Sequence, residues 1–251
     1  MPDANARTVV ITGGSKGIGR SVAYRFAEEN ARIVLIHFDP TDDSCNETLD
    51  QLKSRGVAAE GYKADISSFQ VADALFHDIL EKHEKIDVLI NNAAICPRIP
   101  FEQSTEEDWN RLMDVNAKSQ FFLIQAVCPL MRERGGGRIV NVISASGQFG
   151  ATANASIYSG SKGAIVAFSK SVAREVVDDG IVVNCFSPGT MRTDLITNLS
   201  AEQQEQVRQM IPLGRFATAE EMAVNLAFVA SDECSFTTGA TFDFIGGTLM
   251  R

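Results

Sequence analysis

Long apolar runs are missing from this sequence. No stretch approaches the roughly 20 residues that a membrane-crossing helix needs, so no membrane is expected as a partner. Clustered positive charge is missing too: 23 Lys and Arg stand against 32 Asp and Glu, the formal net charge is −9, and no block of consecutive basic residues occurs. Nucleic acid demands such clusters, and none is expected to bind here. Histidine is scarce at 3, without ligand spacing or an H-E-x-x-H pattern, and no metal site is expected. The 5 cysteines (Cys45, Cys96, Cys128, Cys185, Cys234) are scattered, odd in number and in no C-x-x-C pair. They read as reduced thiols of a cytoplasmic protein, mostly core filler, not as a disulfide framework. The start, MPDANARTVVITGG, shows no apolar segment behind a basic one, so no secretory signal is expected.

What is present is alternation. Strand-like runs (RTVVITGG, RIVLIHF, VAAEGYKADI, IDVLINNAA, GRIVNVIS, IVVNCFSPG, GATFDFIGG) are separated by amphipathic helical stretches, and one helix is expected to run unbroken through EEDWNRLMDVNAKSQFFLIQAVCPLMRER. Nearly continuous β-branched strands joined by helices mean a parallel sheet covered on both faces. No linker, repeat or low-complexity segment interrupts the 251 residues. The expected fold is α/β: a single doubly wound Rossmann-type domain over 1–251, with about seven parallel strands. In such sheets ligands bind at the carboxyl ends of the strands, near the switch in strand order.

The chemistry-bearing motifs fall at those ends. TGGSKGIG (Thr12 to Gly19) follows the first strand and opens the first helix. Its glycines allow a tight turn and close approach of backbone to a pyrophosphate, and the helix N-terminus offers free N–H groups. ADI carries Asp65 and Ile66 after the third strand, NNAA spans Asn91 to Ala94 after the fourth, and VNAKS carries Asn116. Ser144 follows the fifth strand, with Ser146 as a rival two residues on; Tyr158 and Lys162 follow on a helix; PGTMRT (Pro188 to Thr193) closes the sixth strand. Residues four apart on a helix share a face, and an ammonium beside a phenol favours the phenolate.

This ordered set resembles the short-chain dehydrogenase/reductase family over essentially the whole chain, near its branches of 3-oxoacyl-carrier-protein reductases and sugar or polyol dehydrogenases. The resemblance implies Tyr158 as general acid/base, Lys162 lowering its pKa, Ser144 orienting the substrate oxygen and Asn116 holding a water for a proton relay. It implies a nicotinamide dinucleotide held by Gly13, Ser15, Lys16, Gly17, Ile18, Gly19, His37, Asp39, Asp65, Ile66, Asn92, Ala93, Pro188, Gly189 and Thr193, with Tyr158 and Lys162. It also implies a homotetramer or homodimer.

The end of the second strand is mixed: His37 stands at the usual acidic position, Asp39 two residues on, and Lys16 opposes them. The acids favour NAD and Lys16 would favour NADP; NAD is the expected cofactor. Arg98 and Arg192 flank the expected pocket, but an exposed or cofactor-side arginine is the plainer reading of each. The stretch 190–216, a loop with one helix carrying Val207, Met210 and Ile211, is expected to cover the substrate as a lid. The helices at FFLIQAVCPLM and AIVAFSKSVAREVV carry more apolar residues than one buried face needs, and Phe122 is expected to point outward into a subunit contact. The expected activity is oxidoreduction of a secondary alcohol or ketone, with a 3-oxoacyl-carrier-protein reductase as the alternative. A non-catalytic dinucleotide-binding regulator would have lost Ser, Tyr, Lys or Asn, and all four stand.

Overall fold

The computed structural model describes residues 6–150, 154–192 and 194–250. Seven strands, β1 (Thr8–Thr12), β2 (Arg32–His37), β3 (Ala59–Lys63), β4 (Val88–Asn91), β5 (Gly137–Val142), β6 (Ile181–Pro188) and β7 (Thr241–Phe244), form one sheet in the order β3-β2-β1-β4-β5-β6-β7. Every pairing is parallel. The order reverses between β1 and β4, which places a crevice there at the carboxyl edge.

Strand residues alternate between two cores because side chains alternate across a pleat. Val9, Ile11, Ile33, Leu35, Val88 and Ile90 enter one; Val10, Val34, Ile36 and Leu89 enter the other. Each is fully or almost fully buried, and such burial stabilises by roughly 1.5–3 kcal/mol per side chain. The first core is closed by α1 (Gly17–Ala27), α2 (Asp43–Ser54) and α10 (Ala219–Val229). The second is closed by α3 (Phe69–His83), α5 (Ser119–Glu133) and α7 (Ser156–Val176).

Three features differ from expectation. The long helix is not continuous: α4 (Glu106–Met113) passes through a π turn, Asp114–Lys118, before α5, and the Ser119 amide bonds back to Asp114. Such a bulge inserts one residue and re-aims the side chains around it, a device common at functional sites. The stretch 190–216 holds two helices, not one: α8 (Asp194–Thr197) and α9 (Ala201–Gln209). Helix α9 opens on a Ser200–Gln203 capping box and ends early, so Met210 caps it and buried Ile211 lies beyond it. Pro212 explains the stop, because it disfavours the helical conformation at Ile211. A one-turn helix absent from the sequence reading, α6 (Ser146–Phe149), sits between β5 and α7.

Candidate active site

The turn between β1 and α1 is locked by a threonine. Thr12 Oγ1 accepts the amides of Asn92 and Ala93, both at 3.0 Å, which ties the end of β1 to the segment after β4. Asn92 Nδ2 returns the link to the carbonyls of Thr12 at 3.0 Å and Gly13 at 3.1 Å. A Cβ on Gly19 would lie 2.4 Å from the Gly13 carbonyl oxygen, so only glycine lets the helix start this close to the turn. Gly17 sits at φ +57°, and a Cβ there would meet nothing within 4 Å. The turn is thus left-handed and open on its outer side, a shape that suits a diphosphate.

At the end of β2, Lys16 Nζ lies 3.2 Å from Asp39 Oδ1, so the two residues expected to compete over the cofactor neutralise one another. Burial lifts the Asp39 carboxyl, but hydrogen bonds from Ser15 and Lys16, with the Lys16 and His37 charges, outweigh it, and the group ionises below its usual range. Its Oδ2 is buried with no hydrogen-bond partner, 3.7 Å from His37 Nδ1. A buried acceptor of this kind is costly alone and fits a ribose hydroxyl. Asp65 lies beyond β3, with Oδ1 accepting the Ser67 amide at 3.0 Å, whereas the Ile66 side chain is core. Ile18 packs against the first core, Pro188 ends β6, and Gly189 follows it buried. Thr193 lies outside the described residues. The open turn and the orphaned acceptor fit a dinucleotide held by residues 13–19, Asp39 and the segment after β4.

Tyr158 and Lys162 share a face of α7, with the ammonium 5.9 Å from the phenol ring centroid. Lys162 is 1% exposed and donates to the Val142 carbonyl at 2.7 Å. Burial drags its pKa down to about 8. The Tyr158 phenol moves the opposite way from expectation: burial pushes it up to about 12, against smaller pulls from Ser144 and Arg98. The physical reason is that desolvation of the phenol leads and the neighbouring Cys96 adds to it. Ser144, not Ser146, is the serine that acts on the Tyr158 phenol, and the two serine hydroxyls lie 2.7 Å apart.

Asn116, on the π turn, is fully buried. Its Oδ1 accepts the Ile95 amide at 2.8 Å, while Nδ2 donates to the Ile95 carbonyl at 2.9 Å and to Ser161 Oγ at 3.2 Å. Ser161 in turn donates to the Tyr158 carbonyl at 2.7 Å. Both amide protons are committed to protein, so the side chain itself holds the loop after β4 against α7. Thr12 and Ser161 escaped the sequence reading because a threonine at a strand end and a serine on a helix carry no signal until their partners are known. Among the described residues, no group of three His, Cys, Asp or Glu is placed to hold a metal, and no helix is long and apolar enough to cross a membrane.

A doubly wound parallel sheet with an open Gly-rich turn at its switch point, a buried ribose-type carboxylate and a Tyr–Lys pair defines a dinucleotide-binding oxidoreductase fold. Residues 13–248 match the family model described as enoyl-(acyl carrier protein) reductase. A 2-dehydro-3-deoxy-L-rhamnonate dehydrogenase (NAD(+)) of a Sphingomonas species is 34% identical over 242 residues, covering 96% of this chain and 94% of that protein. The 3-oxoacyl-[acyl-carrier-protein] reductase of a Synechocystis species is 32% identical over 251 residues, 100% of both chains. That of Staphylococcus aureus is 32% identical over 244 residues, 97% and 98% of the two. The chain belongs to the short-chain dehydrogenase/reductase family of NAD(P)-dependent oxidoreductases.

Proposed function

We propose that the protein moves a hydride between a nicotinamide dinucleotide and a secondary alcohol or ketone, on a sugar, polyol or other small hydroxy compound, using Asn116, Ser144, Tyr158 and Lys162. What carries this reading is the Tyr158–Lys162 pair on one face of α7, with Ser144 acting on the phenol. Bound nicotinamide supplies the hydride donor or acceptor. Tyr158 manages the proton: in reduction Oη–H protonates the carbonyl oxygen, and in oxidation the alcohol proton passes to the phenolate. With its pKa pushed up to about 12, the phenol is protonated at neutral pH, the form that reduction uses. Ser144 orients the substrate oxygen, and Lys162 faces the ring as the nearby cation. Thr190 to Phe216 acts as the substrate lid. NAD is the favoured cofactor, because the ionised Asp39 both accepts a ribose hydroxyl and repels a 2′-phosphate, while Lys16 is already paired. The protein works in the cytoplasm as a homodimer or homotetramer.

A 3-oxoacyl-carrier-protein reductase is the second reading, favoured by the full-length similarity to such enzymes. A carrier protein would need a basic docking patch, and the net charge of −9 opposes it. Tyr158→Phe tests the mechanism: turnover in a screen of ketones and polyols should fall by at least ~100-fold, with dinucleotide affinity within about twofold of wild type. Near-normal turnover with cofactor bound would sink it. Titrating NAD and NADP into both proteins checks the role of Asp39, and a clear preference for NADP would reject it.

A further inference from the structure

The loops at the carboxyl edge around Ser144 are unusual in charge for so acidic a chain. Strand β5, which leads to Ser144, lies between β4 and β6. From Asn92 to Pro100 after β4 the single charged residue is Arg98; from Ile143 to Gly150 after β5 there is none; from Gly189 to Arg192 after β6 there is Arg192 alone. The carboxylate that β7 brings to this edge, Asp243, is bonded by Gln148 Nε2 at 2.6 Å. Asp194 follows Arg192 closely, so of these three stretches the one after β4 is the one whose sequence carries a cation with no carboxylate within three residues of it in the chain.

Arg98 is also held in place. Ile95 is clamped through both backbone groups by Asn116, and the Ile99 amide donates to the Asn154 carbonyl at 2.9 Å. The Cys96–Arg98 stretch is therefore pinned at both ends, and its second anchor lies four residues before Tyr158. The charge of Arg98 reaches the Tyr158 phenol and the Cys96 thiol, pulling both downward against burial. Arg192 is oriented differently, its guanidinium 6.0 Å from the Phe216 ring centroid.

We propose that Arg98 is a substrate-binding residue that selects an anionic substrate, a small hydroxy acid or its oxo counterpart, whose carboxylate sits on the guanidinium while the reacting carbon faces Tyr158 and Ser144. This rests on the oxidoreductase reading of the same site and names its substrate class. A guanidinium presents a planar fork that matches a carboxylate, and charged hydrogen bonds discriminate strongly against a neutral analogue. Placed beside the acid/base, it orients the hydroxyl or carbonyl relative to the phenol, as an anchor remote from the reacting bond does.

The test uses the full-length protein with NAD and a panel of four- to six-carbon aldonates, each paired with the alditol of the same carbon skeleton. Calorimetry measures aldonate binding to the protein–NADH complex, and nicotinamide absorbance measures turnover. Aldonates should bind and turn over in preference to alditols. Arg98→Gln should weaken aldonate binding and kcat/KM by roughly 10- to 100-fold, mostly through KM, and leave alditols within about twofold. Arg98→Lys should recover part of the loss. Equal losses for acids and alditols would show that Arg98 only shapes the loop, and aldonate binding that ignores Arg98 or is absent throughout would overturn the proposal. Arg98-dependent aldonate binding without any turnover would uphold the anion site while rejecting the oxidoreductase reading.

Discussion

Lys162 has 1% of its surface exposed, and its ammonium donates to the Val142 carbonyl and lies 5.9 Å from the Tyr158 ring centroid. That placement makes it a liability for stability as well as a tool. The folded chain releases this proton near pH 8, against a usual value of 10.5. Between those values the unfolded chain holds a proton that the folded chain lacks, so stability rises with pH across the window, by up to about 3 kcal/mol. Below pH 8 both states are charged and the desolvation cost is present in full. Tyr158 acts in the opposite sense above pH 10, where the folded chain keeps a proton that the unfolded chain has lost. Urea unfolding of wild type and Lys162→Met, compared from pH 7 to 10, should show a rise in wild type that the variant lacks. Parallel profiles would mean that the ammonium is not desolvated.

At the scale of elements, the π turn is what brings a helix residue to a loop. A regular helix through Asp114–Lys118 would rotate Asn116 relative to Ile95, and the bulge restores the register. The resulting chain of bonds runs from Ile95 through Asn116 and Ser161 to the backbone of Tyr158. Asn116→Ala removes two partners from Ile95 and one from Ser161 in a buried setting, which should cost roughly 1–3 kcal/mol of stability. Turnover should fall further than stability explains, because the loop after β4 loses its anchor beside Tyr158. Dinucleotide affinity should stay within about twofold, since Thr12 and Asn92 hold the glycine turn independently. Unchanged turnover would show that the clamp is not needed for catalysis.

At the scale of the molecule, apolar surface remains uncovered. Phe122, expected to face outward, instead packs on Phe69 of α3 with ring centroids 5.0 Å apart. Phe121 is the outward residue, 38% exposed and edge-on to Phe168 of α7 at 5.6 Å. On α4 nearby in sequence, Trp109 is 51% exposed. Exposed rings bridging two neighbouring helices mark a surface suited to a second copy. Light scattering should therefore give a multiple of 27.2 kDa, and Phe121→Glu should lower it toward one chain with loss of activity, because α5 and α7 extend from Asn116 and carry Tyr158. A mass of one chain across a dilution series would reject the assembly.

The order of the strands along the chain, the parallel sheet, the glycine turn and the Tyr158–Lys162 pair were legible from one dimension. They rest on local periodicity and on spacings of a few residues, which sequence states directly. Helix α3 shows that periodicity in its buried residues, Ala72, Leu75, Phe76 and Ile79. The π turn was not legible, because DVNAK has an ordinary helical pattern and the partner that Asn116 meets there, Ile95, lies 21 residues away. Nor was the direction of the Tyr158 shift: it depends on how deeply the phenol is buried and on Cys96 lying near it. The same holds for Lys16 and Asp39, rivals in sequence and partners in space. Sequence determined which groups the protein carries and on which elements; only the tertiary structure decided which charge meets which, because burial and pairing are properties of distance between residues that the chain itself keeps apart.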